Sequence, residues 1–398
     1  MVAQSLCLLL WCSSSAQFAS IPSIGAAPFG LRGVLPSGDE SGTAIEEVWD
    51  GLDVGIGMTA LYDSNFFLSE KNPQNELVMH ILPQIRYSSA SDGGVPFSLT
   101  ASYQPMIRSY LNNPDLDGVD HSGGISMQVC GAKTVLMAYM NYSSVSQTDR
   151  FTGSFVNGSL LDGGVRGTYQ IAPRTSLYAI WGLSLSDYDS ELLVGSESHT
   201  AEIGGFWSAT ELLSFGPSIR YMKQESDNTG TRESWALSLQ ARALMGARWQ
   251  VQGTLGLQCA KNSRDGGATS LDPTGGLSAS YAINERMAWK TSLTYSTISS
   301  PTEVNYIMNN LSLSTGLTRQ LLRGSVSTGV EMNQSDYVKV GTTNTNPGSQ
   351  DNLSVFLSYS RKCCVDRLDF NSTIRYVMND GQRDWSQIQL SAGIHWIF

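Results

Sequence analysis

The stretch WSQIQLSAGIHWIF at residues 385–398 decides the fold. Every second residue from Phe398 back to Ile388 is apolar, whereas the residues between Ile397 and Gln387 on the other parity, apart from Ile397, are polar or glycine. Alternation with a period of two describes a β-strand whose two faces meet different surroundings. The chain also ends on Phe398 two residues after Trp396, and aromatic residues at the membrane interface are typical of an outer-membrane barrel. We therefore interpret this stretch as the closing strand of such a barrel.

The composition fits a barrel better than a soluble domain or a helical membrane protein. Only 15% of the residues are charged, although a soluble domain carries about a quarter. The mean hydropathy is −0.13, and no apolar run approaches the roughly twenty residues that a membrane helix requires. The formal net charge of −10 argues against a nucleic-acid partner, because binding to phosphates requires clustered Lys and Arg.

The first fifty residues differ from the rest of the chain. Leu6 to Trp11 is a short apolar core, and Ser14-Ser15-Ala16 is a candidate cleavage site, so residues 1–27 are expected to be an export signal peptide. A disordered tail is the alternative, since no Lys or Arg precedes the core. Residues 28–50 are expected to form a flexible periplasmic lead-in, and residues 51–398 the barrel.

From residue 53 onward the alternation recurs in segments that are separated by polar connections. The predicted strands are 53–62, 76–88, 96–110, 122–131, 134–145, 161–170, 175–187, 198–208, 213–225, 233–244, 248–260, 274–283, 287–299, 305–317, 323–333, 351–361, 367–378 and 385–398. Long connections alternate with tight turns, as in outer-membrane barrels. The sequence thus predicts an all-β fold, a transmembrane antiparallel up-and-down β-barrel of about 18 strands, or of 16 if 122–131 and 134–145 are misread.

The two faces of the predicted strands differ in polarity. In the strand at 248–260, Trp249, Leu255 and Leu257 share the apolar face, whereas Thr254 and Gln258 lie on the other. A dry core would not accept such unpaired polar side chains, so the polar face is expected to line a wet interior and the apolar face to meet lipid.

The first predicted hairpin resembles a known family. The stretch LYDSNFFLS at residues 61–69, followed by Asn72-Pro73 and by LPQI at 82–85, is similar to the opening of the β-barrel porin type 2 family of Gram-negative outer membranes. The similarity covers about thirty residues. It implies an outer-membrane barrel, some of whose relatives are associated with exopolysaccharide production, and it implies no catalytic residues.

Charged residues on the polar face are the candidate site. The cations are Arg86, Arg108, Arg166, Arg220, Arg242, Lys290 and Arg375, and the acids are Asp162, Glu202, Glu331 and Asp369. One interpretation is a basic stripe that sets channel polarity and favours anionic or sugar-like solutes. The other is a ladder of salt bridges that braces the wall, and both stay open.

No pattern for catalysis, a cofactor or a metal is evident. No serine can be placed beside His199, the one histidine of apolar parity, and the acidic segment 112–120 lacks the spacing of a calcium loop. The expected function is a porin-like channel for passive transport of small polar, anionic or sugar-like solutes. A barrel of a surface or exopolysaccharide export system is the alternative, and an adhesin with long loops a weaker one. The expected partners are outer-membrane lipid, the barrel assembly machinery and polysaccharide or small solutes, and the oligomeric state stays open.

The terminal strand generates a first prediction, on assembly. If Trp396 and Phe398 form the assembly signal, deleting Phe398 or introducing Trp396→Asp should reduce insertion into the outer membrane. Heat-modifiable barrel in outer-membrane fractions measures insertion, and undiminished amounts in both variants would contradict this role.

Overall fold

The computed structural model describes residues 51–89, 97–150, 152–190, 193, 195–226, 230–263, 269–299, 306–339, 348–363, 367–381 and 383–398. The export signal expected at 1–27 and the lead-in expected at 28–50 lie outside these described residues and stay predictions. Within the described ranges, no helix is long and apolar enough to cross a bilayer.

Eighteen β-strands make up nearly all of the described chain. They are β1 Leu52–Asp63, β2 Glu76–Ser88, β3 Phe97–Tyr110, β4 Gly118–Cys130, β5 Thr134–Thr148, β6 Phe155–Ala172, β7 Thr175–Tyr188, β8 Ser196–Ser208, β9 Leu213–Ser226, β10 Gly230–Met245, β11 Trp249–Asn262, β12 Thr269–Asn284, β13 Met287–Ser299, β14 Tyr306–Leu321, β15 Gly324–Lys339, β16 Ser349–Lys362, β17 Leu368–Gly381 and β18 Trp385–Ile397.

The sheet closes on itself. Each strand runs antiparallel to the next, and β1 also pairs with β18, from Gly55 opposite Ile397 to Asp63 opposite Gln389. The amide of Phe398 donates a further hydrogen bond to the carbonyl of Val54 (2.8 Å). The predicted all-β, up-and-down antiparallel barrel of 18 strands is therefore confirmed, and the alternative of 16 is wrong because 122–131 and 134–145 do form β4 and β5.

The two ends of the barrel differ in their connections. Connections after odd-numbered strands, such as residues 64–75 between β1 and β2, define the long-loop end, and tight turns such as 173–174 and 322–323 define the short-turn end. Several strands continue further toward the long-loop end than predicted: β6 begins at Phe155 instead of 161, and β15 continues to Lys339 instead of 333. Beyond the apolar belt both faces meet water, so the alternation fades although the backbone pairing continues.

The outer surface carries the apolar residues. On β11 the side chains of Leu255 and Leu257 point outward, and Leu255 is 76% exposed, whereas Gln258 on the opposite face is buried. Aromatic residues gather on the outer surface beside the short turns. Trp249 stacks on Tyr281 with 4.5 Å between ring centroids, and Trp396 stacks on Phe398 at 5.7 Å. An apolar belt edged by aromatic rings is the surface that a barrel presents to lipid and to the lipid–water interface.

The orientation of β11 generates a second prediction. Leu255→Arg should destabilise the inserted barrel by about 2–4 kcal/mol, because it places a cation against lipid near the bilayer midplane. Thr254→Arg, one residue earlier and facing inward, should cost much less. Urea unfolding in lipid vesicles measures both variants, and equal losses would contradict the assignment of the two faces.

Candidate functional site

The polar face is the concave, inner face of the barrel. The side-chain amide of Gln240 on β10 donates to the hydroxyl of Tyr178 on β7 at 2.6 Å, although β8 and β9 lie between these strands. Side chains of strands so far apart converge only on the inside of a curved sheet. The same face carries the eleven charged residues predicted for the site, as the strand register shows.

Three of the predicted cations pair with carboxylates on the wall. Arg220 Nε lies 2.7 Å from Glu202 Oε2, and Arg375 Nη2 lies 3.2 Å from Glu331 Oε2. Arg108 Nε lies 3.1 Å from Asp120 Oδ2, and both of these side chains are buried. Arg375 on β17 reaches Glu331 on β15 across the intervening strand β16, so this ion pair links strands that are not neighbours in the sheet.

A group of side chains on β6 to β10, which we call the basic cluster, lies in the half of the wall nearer the short turns. Its members are Arg166, Tyr178, Glu202, Phe206, Arg220, Gln240 and Arg242. The rings of Tyr178 and Phe206 stack with 5.7 Å between centroids. The guanidinium of Arg166 lies over Tyr178 at 5.5 Å, and that of Arg242 lies over Phe206 at 4.4 Å. Both arginines thus gain cation–π contacts.

The basic cluster holds more positive than negative charge. Glu202, the one carboxylate among the cluster's members, accepts hydrogen bonds from Tyr178 (2.7 Å), Arg220 (2.7 Å) and Gln240 (3.0 Å). The cluster thus brings three guanidiniums and one carboxylate together on the wall.

A glycine makes the aromatic stack possible. Tyr178 on β7 lies opposite Gly204 on β8, and a Cβ atom at Gly204 would come within 2.6 Å of Cζ of Tyr178. With no side chain at position 204, the tyrosine ring lies flat on the wall, where its hydroxyl reaches Glu202 and its face reaches Arg166.

The remaining predicted residues lie elsewhere on the inner face. Arg86 is opposite Asp53 on β1, and Lys290 is opposite Gly316 on β14, both toward the short-turn end. Asp162 is hydrogen-bonded to Tyr139, and Asp369 is opposite His395 and Lys362. The structure therefore does not gather the predicted residues into one site, and their role in channel polarity stays a prediction.

A second feature is the connection between β1 and β2, residues 64–75, which we call the mouth loop. Asn65 holds it in place: its Nδ2 donates to the carbonyls of Ser69 (3.0 Å) and Ser386 (3.1 Å), and its Oδ1 accepts from the amide of Ser69 (2.9 Å). Asn65 is only 2% exposed. Next to it, Asp63 at the end of β1 accepts from the side chains of Gln387 and Gln389 on β18.

Apolar side chains of the mouth loop pack against the inner wall. Phe66 joins the inward-facing Val78 and Tyr110 in a buried cluster that Phe155 of β6 also contacts. Further along the loop, Leu68 packs on Val377 and Trp385, which are likewise buried. The interior at the long-loop end is therefore partly filled by a folded connection.

The β5–β6 connection at residues 149–154 meets the mouth loop. A methyl group on Gly153, which has a φ of +67°, would overlap the guanidinium of Arg383 from the β17–β18 connection. Arg383 in turn donates from Nη2 to the carbonyl of Leu68 (2.9 Å). Arg150 interacts electrostatically with Tyr337 on β15, on the far side of the barrel. Three connections thus converge at the mouth, with Arg383 between them.

The sequence patterns missed most of this arrangement. Asp120 falls outside the predicted strand at 122–131, so its pairing with Arg108 was not expected. Tyr178 and Phe206 are aromatic residues on the polar face, and that break in the alternation is the signal that could have located the basic cluster. Within the described residues, no group of three His, Cys, Asp or Glu side chains could hold a metal ion.

Solved structures with similar folds are outer-membrane proteins. The outer membrane protein opdK of Pseudomonas aeruginosa is 12% identical, with 88% of this chain and 100% of that chain covered and a TM-score of 0.47. The BenF-like porin from Pseudomonas fluorescens is 9% identical, with 88% and 100% covered and a TM-score of 0.47. These similarities concern the barrel fold alone. No protein-family model and no curated protein sequence matches the chain, so membership of the type 2 porin family stays a prediction.

The geometry defines the class of protein. A closed antiparallel barrel with an apolar, aromatic-edged exterior and a polar interior is an outer-membrane β-barrel, and its long-loop end faces the cell exterior. The fold is thus that of a porin-type barrel in the bacterial outer membrane.

Asn65 generates a third prediction. Asn65→Ala removes the three hydrogen bonds that the buried Asn65 side chain makes with Ser69 and Ser386, and it should lower the free energy of unfolding by about 2–3 kcal/mol. It should also expose the mouth loop to protease on intact cells. Lys71→Ala, an exposed change in the same loop, is the matched control and should do neither. Wild-type stability and protease resistance in Asn65→Ala would show that the loop is held by its apolar contacts instead.

Proposed function

We propose that this protein is a passive outer-membrane channel for small polar solutes, with a preference for anionic or sugar-like ones. The observation that carries the proposal is the grouping of three guanidiniums, those of Arg166, Arg220 and Arg242, on the polar inner wall of a closed barrel. A barrel of this strand number leaves an aqueous interior unless connections fill it. The apolar exterior then contacts lipid, and the interior contacts the solute.

Charged groups follow one another along the path of a solute through the interior. At the mouth, the loops described above narrow the entrance, and the buried pair of Arg108 and Asp120 is neutral overall. Further in, Arg375 is balanced by Glu331. The basic cluster and Lys290 follow toward the periplasmic end. An anion that passes the mouth therefore meets the guanidiniums of the basic cluster and then Lys290, as weak sites from which it can leave.

The packed mouth favours a second candidate. Because Phe66, Leu68 and Trp385 form buried contacts inside the barrel, the entrance resembles a small protein core more than an open vestibule. A barrel that conducts little and has a structural or accessory role in surface polysaccharide export would have such a mouth. An adhesin whose loops bind external partners is a weaker third candidate.

Assembly requires partners as well. We propose that the barrel assembly machinery recognises β18, whose last aromatic residues Trp396 and Phe398 stack outside the barrel. We propose no catalytic role for any residue of the inner wall, because the charged side chains described there contact other side chains of the wall.

Ion conduction is the fourth prediction and the test of the proposed function. Refolded protein in planar bilayers should give stepwise single-channel currents. Reversal potentials should show anion preference at about 0.1 M salt and little at about 1 M, because the Debye length falls from about 10 Å to about 3 Å. Lys290→Gln should shift the preference toward cations.

The control is Lys223→Gln, which removes the same charge from an outward-facing side chain near the long-loop end. It should leave the reversal potential unchanged. Silent bilayers with correctly folded protein would favour the accessory role, and cation preference of the wild type at low salt would contradict the assignment of an anion-favouring interior.

A further inference from the structure

We propose that the outer flank of the barrel carries a groove for the uncharged sugar headgroup of an outer-leaflet glycolipid, which we call the rim groove. It consists of two hollows of about 450 Å³ and 430 Å³ that share Pro73 of the mouth loop. Each volume falls within the roughly 300–1,000 Å³ that is usual for small-ligand sites. The inference goes beyond the channel proposal and does not rest on it, because the groove opens outside the wall.

The rim groove lies on the lipid-facing side of the long-loop end. Its β17 residues Tyr376 and Met378 are each 42% exposed, whereas Val377 between them faces the interior and is fully buried. Tyr62 of β1 also faces outward, on the other side of β18. Two residues beyond Met378 the outward position is the exposed Asp380, so the apolar belt ends at this height. A ligand therefore reaches the groove from the outer leaflet and not from the lumen.

Two tyrosine rings give the groove its apolar surfaces. Tyr62 is 37% exposed and Tyr376 is 42% exposed, and among the described residues neither ring contacts another aromatic ring. The C–H face of a sugar ring can pack on such a ring while the tyrosine hydroxyl stays in water. Outward tyrosines at this height also anchor a barrel in the membrane interface, so the polar residues of the groove decide which headgroup fits.

Carboxylates supply hydrogen-bond acceptors in the first hollow. Glu70 Oε1 accepts from the amide of Asp384 at 3.4 Å, and Asp384 Oδ1 accepts from the amide of Gly381 at 3.0 Å. The second oxygen of each carboxylate is left for a ligand, and the exposed Asp380 adds a further acceptor. Hydroxyl groups are donors that such oxygen atoms bind with charge-assisted hydrogen bonds.

Side-chain amides line the second hollow, and a buried carboxylate holds them. Glu76 is 1% exposed, and it accepts from the amide of Asn112 (2.9 Å) and from Nδ2 of Asn113. Nδ2 of Asn112 donates to the carbonyl of Asn75 (3.2 Å), which joins the β3–β4 connection to the mouth loop. Among the described residues, the Oδ1 atoms of both asparagines and the side-chain amide of Asn75 have no hydrogen-bond partner. The hollow thus presents fixed donors and acceptors side by side, and a sugar hydroxyl can use both.

The charge of the groove argues against an anionic headgroup. Among the described residues, no Lys or Arg lines either hollow, and Glu70, Asp380 and Asp384 line the first. A lipid phosphate would meet like charges there, with no guanidinium or ammonium group to bind it. The acids do not converge on a metal site within the described part of the chain either. An uncharged sugar is therefore the headgroup that the lining fits.

The fifth prediction tests the rim groove by lipid retention, which does not depend on conduction. Full-length refolded protein in an oxyethylene detergent is mixed, in the presence of EDTA, with equal amounts of digalactosyl diacylglycerol, diglucosyl diacylglycerol and phosphatidylglycerol. Native mass spectrometry then counts the lipids that each protein retains. The wild type should retain at least one of the two glycolipids in a saturable way and in excess over phosphatidylglycerol.

The variants locate the binding. Tyr62→Ala and Tyr376→Ala should each raise the apparent Kd for the retained glycolipid about fivefold, since each removes a surface on which a sugar ring packs. Tyr142→Ala is the matched control, because Tyr142 is a 46% exposed, outward-facing tyrosine on β5, away from the groove. It should retain the glycolipid like the wild type. Heat-modifiable migration confirms that each variant is folded.

The outcomes separate this inference from the proposed function. Glycolipid retention that both groove variants weaken and the control does not supports the rim groove, even if bilayers stay silent and the channel proposal fails. Equal retention of phosphatidylglycerol, equal retention by both groove variants and the wild type, or absence of glycolipid retention overturns it and leaves the channel proposal intact. Complete displacement of the glycolipid by an equal concentration of free lactose or maltose would assign the groove to soluble sugars and overturn the membrane partner.

Discussion

Closure of the sheet is the constraint on which the rest of the structure depends. Lipid offers no hydrogen bonds, so every unpaired backbone group in the bilayer costs several kcal/mol. The pairing of β1 with β18 removes both edges, and the bond from Phe398 to Val54 extends it to the last residue. Alternation follows from closure, because a closed wall has one face toward lipid and one toward water.

Residues 61–69, the stretch that resembles the type 2 porin family, lie where the pairing of β1 with β18 ends. Asp63 is the last residue of β1, and there it accepts hydrogen bonds from Gln387 and Gln389 of β18. Two residues later, Asn65 bonds to the carbonyl of Ser386 and turns the chain inward. Residues 61–69 thus join β1 to β18 through Asp63 and begin the mouth loop at Asn65.

The sequence predicted the strands of the barrel well, because each strand inside the membrane meets lipid on one face and water on the other. The polarity of its residues therefore alternates with a period of two. The same parity assigned the charged residues to the polar face, and their role in channel polarity stays a prediction. It could not predict their partners, since Arg375 reaches Glu331 across a whole strand, and such contacts depend on register and curvature. The mouth loop also escaped prediction, because its fold depends on a few side chains such as Phe66 and Leu68 in an otherwise polar segment.

Acidic and basic side chains are placed at different heights of the barrel. Acids such as Glu197, Glu225 and Asp384 lie toward the outer end of the barrel, whereas the basic cluster lies nearer the periplasmic end. At roughly physiological salt a charge is screened beyond about 8 Å, so the outer acids contribute little to the field deeper inside. The formal net charge of −10 therefore does not by itself describe the charges that the inner wall presents around Glu202 and the arginines of the basic cluster.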